Sequence, residues 1–202
     1  MAWKVVDKKS ITGGSARIIV ADNGTAKPTK FADVFNVDSS LKTGFRDVGA
    51  TDWGVSITRW YDKEDWEVDQ VLWPIDEFIT SWNMGLETSL AETDVENLKL
   101  VWNLAAETVD AVETPNEATL WINASWEISE KMILVQVDKR TVWGVLYKRL
   151  YVFYRAKYDW SDVTSAYEKG AKTLLPVKFG LLADTDEPVN TAFGVIIDQV
   201  YV

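Results

Sequence analysis

The chain has 202 residues, 47 % of them hydrophobic and 26 % charged, with 31 acidic against 21 basic side chains and a formal charge of −10. That is enough apolar material for one packed domain and too much for a disordered chain. Cysteine and histidine are both absent, which excludes disulfides, thiolate metal sites, Cys nucleophiles, Ser-His-Asp triads and most zinc and copper sites.

In chain order, Ser15–Asp22 reads as a strand, ended by the Asn23-Gly24 turn signal. Ala32–Val37 is a second candidate strand, and Ser39–Asp52 a loop containing Gly44 and Gly49. Gly54–Tyr61 alternates as a strand should. Asp62-Lys63-Glu64-Asp65 reads as a polar turn, with Trp66–Val71 returning from it as the second half of a hairpin. Trp73-Pro74 interrupts pairing.

Phe78–Leu90 has the clearest period. Phe78, Trp82, Met84, Leu86 and Leu90 fall on one face, and Ser81, Asn83, Gly85, Glu87 and Ser89 on the other. A two-residue repeat of this kind describes a strand packed on one face and wet on the other. Thr93-Asp94-Val95-Glu96 then spells a capping box, with the Thr93 hydroxyl as cap. Val95, Leu98, Trp102 and Ala105 follow at helical spacing and predict the packing face of a single helix.

The second half returns to strands. Lys131–Asp138 and Val142–Ala156 flank a predicted turn at 138–141. The second of these is apolar on both faces, which predicts a position between two layers or at a subunit contact. Thr173–Ala183, with Val177, Phe179 and Leu181 on one face, and Ala192–Tyr201 complete the pattern. The predicted fold is mainly β, a sandwich or barrel with one flanking helix, in a single domain spanning 1–202.

No apolar run approaches the roughly 20 residues of a membrane span. The N-terminal Met1–Asp7 segment lacks the apolar core of a secretory signal. The acidic balance opposes gripping a polyanion, because affinity for nucleic acid comes from cations. Eleven tryptophans suit a large core, an interface or sugar stacking. A carbohydrate-binding sandwich is therefore one rival reading, and a carboxylate-only hydrolase another. No carboxylate spacing singles out a catalytic pair; Asp62, Glu64, Asp65 and Glu67 read as solvated, and Asp184–Glu187 as a turn rather than a calcium loop.

The segment Gly49-Ala-Thr-Asp-Trp-Gly-Val-Ser-Ile-Thr-Arg59 resembles a strand opening of siphophage major tail (tail tube) proteins. It is followed in order by Trp66–Gln70, Pro74-Ile-Asp76, Ile79–Met84 and Leu90–Leu98, where a strand runs directly into a capped helix. The resemblance is strongest over Gly49–Leu98. It continues more loosely through Arg155 and the Leu-Pro-Val-x-Phe strand at 175–179.

The resemblance implies a β-sandwich whose strands join those of neighbouring copies. It implies rings, commonly of about six copies, stacked into a tube that conducts DNA. The implied partners are further copies, a tape measure protein, a tail terminator and tail-tip or baseplate proteins, without any cofactor. A contractile-tail inner tube or a type VI secretion tube shares this logic. On this reading, Glu67, Asp69, Ser81, Asn83, Glu87 and Ser89 are candidate lumen residues. Ser39, Gly44, Arg46 and Asp62–Asp65 (Asp62, Lys63, Glu64, Asp65) are candidates for contacts between rings. The chain ends at Val202, so the additional immunoglobulin-like domain of some relatives is expected to be absent.

Overall fold

The computed structural model describes residues 12–66, 76–104, 108–109, 118–122, 127–140, 146–159 and 172–199. The elements in order are β1 (Thr12–Asp22), a single helical turn α1 (Phe31–Val34), β2 (Phe45–Asp47), β3 (Thr51–Trp66), β4 (Asp76–Leu90) and helix α2 (Val95–Trp102). They continue through the short β5 (Thr108–Val109) and β6 (Ala118–Thr119) to β7 (Lys131–Arg140), β8 (Leu146–Tyr158), β9 (Leu175–Leu182) and β10 (Gly194–Asp198). The fold is mainly β, as predicted.

One antiparallel sheet runs β2-β1-β7-β8-β9-β4-β3, with β10 also paired to β8. β7 covers one edge of β8, so β10 (against Arg149–Phe153) and β9 (against Arg155–Tyr158) share the other. Alternation then sorts side chains into two cores. Ile18, Val20, Ile133, Val135 and Phe153 pack with Leu86, Leu90, Val177, Phe179 and Val101. Ile19, Ala21, Met132, Leu134, Leu150 and Val152 pack on the opposite face with Val34, partly covered by Phe31, Phe35, Phe45, Val195 and Ile197. Both faces of the central strands are thus buried, as the two-sided apolar pattern of β8 required. β9 reads buried at Leu175, Val177, Phe179 and Leu181, in the predicted period.

The structure corrects four local expectations. Ala32–Val37 is not a strand. Asp33 accepts hydrogen bonds from the backbone N–H of Thr29 (2.9 Å) and Lys30 (3.1 Å), which folds residues 31–34 into a helical turn. The same bonds, that from Thr29 first, hold the Asp33 carboxyl below its ordinary range. The Ser39–Asp52 loop contains β2 and leads into β3. β7 passes through Asp138 to Arg140, so the predicted turn at 138–141 is strand as far as it is described. Finally, Asp62–Asp65 form no turn: β3 runs straight through them to Trp66 and pairs with β4 as far as Asp76.

α2 begins one residue later than predicted, because Asp94 rather than Thr93 caps it, accepting from the Asn97 N–H at 2.7 Å. The buried face of the helix also differs from the predicted one. Asn97 and Val101 are buried, Leu98 and Leu100 pack partly against the core, and Trp102 is 41 % exposed. At about 100° per residue, Val95 and Trp102 fall well to the side of the 97/101 direction. Of the predicted face, Leu98 packs, Trp102 does not, and Ala105 lies outside the described residues. The helix ends on Asn103, which is left-handed at φ 48°.

Candidate functional site

β3 and β4 form a hairpin far longer than the rest of the sheet can cover. β9 pairs with β4 only along Met84–Leu90. Beyond Met84, residues 59–66 and 76–83 stand as a two-stranded ribbon, roughly 25 Å long at about 3.3 Å per residue. Nearly every side chain on it is exposed. A two-stranded ribbon is marginal in water on its own, and this one carries Trp60, Tyr61, Trp66, Phe78, Ile79 and Trp82 at 42–58 % exposure. The outer edge of β3, sixteen residues long, has no partner strand among the described residues. Such an edge is a template for pairing.

The ribbon is internally braced. Tyr61 and Trp82 lie 5.2 Å apart between ring centroids, with the Arg59 guanidinium 4.3 Å from the Trp82 ring. Further out, Trp66 meets Phe78 edge-on at 5.8 Å. On another side, Asp62 accepts from the Ser81 hydroxyl (2.7 Å) and the Asn83 amide (3.0 Å). Lys63 pairs with Glu77, a hydrogen bond that raises the lysine pKa above its usual value. The structure therefore joins Asp62, predicted at a ring contact, to Ser81 and Asn83, predicted in the lumen.

Glu87 and Ser89 lie on the same strand face as Ser81 and Asn83, over the sheet proper. Glu87 pairs with Lys178 of β9 at 3.1 Å, and Asp52 with Lys172 at 3.0 Å. Glu130 takes Arg155 through two bonds (2.8 and 2.9 Å) and Lys157 at 3.2 Å. The Arg155 hydrogen bonds hold the Glu130 carboxyl down to about 2. Every one of these cations has a carboxylate in contact. The face is balanced in charge rather than simply acidic. Glu67 and Asp69 lie outside the described residues.

The predicted loop residues divide. Ser39 (φ 66°) and Gly44 (φ 92°) occupy exposed turns. Arg46 lies in β2, where it donates to the Asn97 side-chain oxygen (2.8 Å) and fastens α2 to the sheet. Asp62, Lys63, Glu64 and Asp65 belong to the ribbon. Its aromatic residues are the functional candidates that sequence reading missed, although their density in Trp60–Trp82 was a visible signal.

The cleft between α2 and β1, about 280 Å3, is lined by charges that pair with each other, Asp22 with Lys131 and Glu96 with Lys99. Asp184 and Glu187 both hold Lys27, each at 2.7 Å, so their cation is a lysine of the same chain. Among the described residues no group of three or more His, Cys, Asp or Glu could hold a metal ion, and no helix is long and apolar enough to cross a membrane.

A comparison with curated proteins finds no match. A family model described as phage tail tube protein matches residues 5–193. With nearly the whole chain covered, and a β-sheet whose long edge and aromatic ribbon no described residue covers, the chain belongs to the phage tail tube protein family, structural components of the virion tail that assemble into a tube.

Proposed function

We propose that copies of this chain close into rings, commonly of about six, and that stacked rings form the tail tube of a siphophage, through which DNA passes at ejection. The observation that carries this reading is the uncovered β3 edge with its ribbon, since a monomer would leave both exposed to water. Neighbouring copies complete the sheet and shelter the aromatics. Each copy contributes one tail-tube unit, and the role is mechanical, without catalysis.

The outer face of β4 and β9 over the sheet proper, with Glu87 and Ser89, lines the lumen on this reading. DNA carries a charge about every 1.7 Å of its axis and binds proteins by exchanging counterions for uncompensated Lys and Arg. A wall whose cations are already paired offers no such exchange, and its hydroxyls keep water between wall and duplex. Exposed turns at Ser39 and Gly44 meet adjoining rings. A tape measure protein inside the tube, a terminator at one end and tip proteins at the other complete the assembly, which is made in the host cytoplasm.

Negative-stain electron microscopy of concentrated purified protein, and of tails from infected lysate, tests the reading. Rings or tubes with a central pore are expected. Particles without a pore under every condition overturn it.

A further inference from the structure

We propose that the aromatic ribbon of one copy docks on the corner of a second copy formed by Phe35, Lys42, Lys148, Gln136 and Asp138. The inference rests on the tube reading and names the surface that receives the ribbon.

Two ribbons cannot shelter each other well. Each bears Asp62, Glu64, Asp65, Asp76 and Glu77 against Arg59 and Lys63, so a ribbon-to-ribbon contact sets like charges face to face. The receiver needs accessible ammonium groups. Among the lysines whose side chains are described, Lys42 and Lys148 are the ones without a carboxylate in ion-pair contact. They come together at one place. The Lys42 ammonium is held by the Ala32 carbonyl in α1, and the Lys148 ammonium lies 5.9 Å from the ring of Phe35, which follows α1.

Beside these lysines lie two acceptor oxygens that no donor meets. On the sheet face shared by Leu134 and Lys148, the Oε1 of Gln136 (7 % exposed) and the Oδ1 of Asp138 are buried without a hydrogen bond. Asp138 is the cross-strand neighbour of Lys148, yet forms no ion pair with it. Buried polar atoms left unpartnered are costly. The ribbon supplies the partners that these ammonium groups lack. Its carboxylates suit Lys42 and Lys148. The half-buried Phe31 and Phe35 rings, 6.2 Å apart, offer an apolar floor. Ribbon and corner are different surfaces of one chain, so the contact is head-to-tail and propagates.

Reversing charges tests this. E64K/D65K alters the ribbon and K42E/K148E the corner. Each double variant should keep its wild-type thermal melt while the protein concentration needed for assembly rises roughly tenfold or more. The quadruple variant should recover assembly. An equimolar mixture of the two double variants matches native ribbon with native corner and reversed ribbon with reversed corner, and should co-assemble at a concentration where neither variant assembles alone. Tubes that form normally from either double variant overturn the docking and leave the tube reading standing. So does a folded quadruple variant that fails to recover. Wild-type protein that forms ribbon-dependent oligomers without a pore supports the docking and overturns the tube.

Discussion

Asn97→Ala should cost about 2–5 kcal/mol of folding stability, more than removing any ring from the surface of α2. The Asn97 side chain is fully buried. Its amide donates to the Val48 carbonyl at 2.8 Å and the Glu92 carbonyl at 3.0 Å, while its oxygen accepts from Arg46 at 2.8 Å. One side chain thus ties α2 to the β2–β3 connection and to the end of β4. Alanine leaves two carbonyls without a donor, at roughly 1–3 kcal/mol for each buried group left unmet. The half-buried guanidinium can still reach water and adds less. For a chain of this size each kcal/mol moves Tm by about 2–4 °C, so a drop of about 5–15 °C is expected. Trp102→Ala is the control, because a side chain 41 % exposed should change stability by less than about 1 kcal/mol. Urea and thermal melts of dilute, unassembled protein measure both. If Asn97→Ala melted within 2 °C of wild type, or Trp102→Ala cost more than Asn97→Ala, the account of how α2 is anchored would be wrong.

Gly49→Ala should destabilise by about 1–3 kcal/mol, read by the same melts, because Gly49 has φ 83° and a Cβ there would come within 2.2 Å of the Glu92 carboxylate that caps the Ala50 N–H. Glu130→Gln should cost about 1–3 kcal/mol at neutral pH. The Glu130 carboxyl is lowered from its ordinary value to about 2, so its contribution is complete above about pH 4.5 and lost as pH falls towards 2. Melts across that range should show the wild-type and Glu130→Gln curves converging in acid, whereas a constant gap would exclude the ion pair as the cause. Glu87→Lys together with Ser89→Lys should leave tubes intact while slowing DNA delivery, measured by potassium efflux or infectivity. Normal delivery would remove that face from the lumen.

How much of this was legible depended on whether burial imposed a pattern. β9 and the inner half of β4 alternate because one side meets the core, and Leu86, Leu90, Val177 and Phe179 could be placed from spacing alone. The outer half of β3 is exposed on both faces, so nothing selected apolar residues at every second position. Without that period, Asp62–Asp65 resembled a turn, although Lys63–Glu77 and Asp62–Ser81 bonds hold them in a ladder. The helix was legible from its cap and its apolar spacing. Its true centre was not, because the residue buried deepest beside Val101 is a polar asparagine, and two of its three partners, Arg46 and Val48, come from a distant chain segment. The Phe35 corner was hidden for the same reason: Lys42, Gln136 and Lys148 are far apart in sequence.

The net charge of −10 is also distributed in a way that composition could not convey. Averaged over the molecule it suggests a uniformly acidic wall that repels DNA. On the β4–β9 face, however, Asp52, Glu87 and Glu130 are each matched by Lys172, Lys178, Arg155 or Lys157. The ribbon, by contrast, carries five carboxylates against two cations. Acidity is thus concentrated on the ribbon and nearly cancelled on the face assigned to the lumen. A conduit for a polyanion does not require a negative wall, only the absence of cations free to replace the counterions of the DNA. On the docking proposed above, the ribbon's excess of carboxylates over cations serves a different end, keeping ribbons from associating with each other and directing each towards the ammonium groups of the next copy.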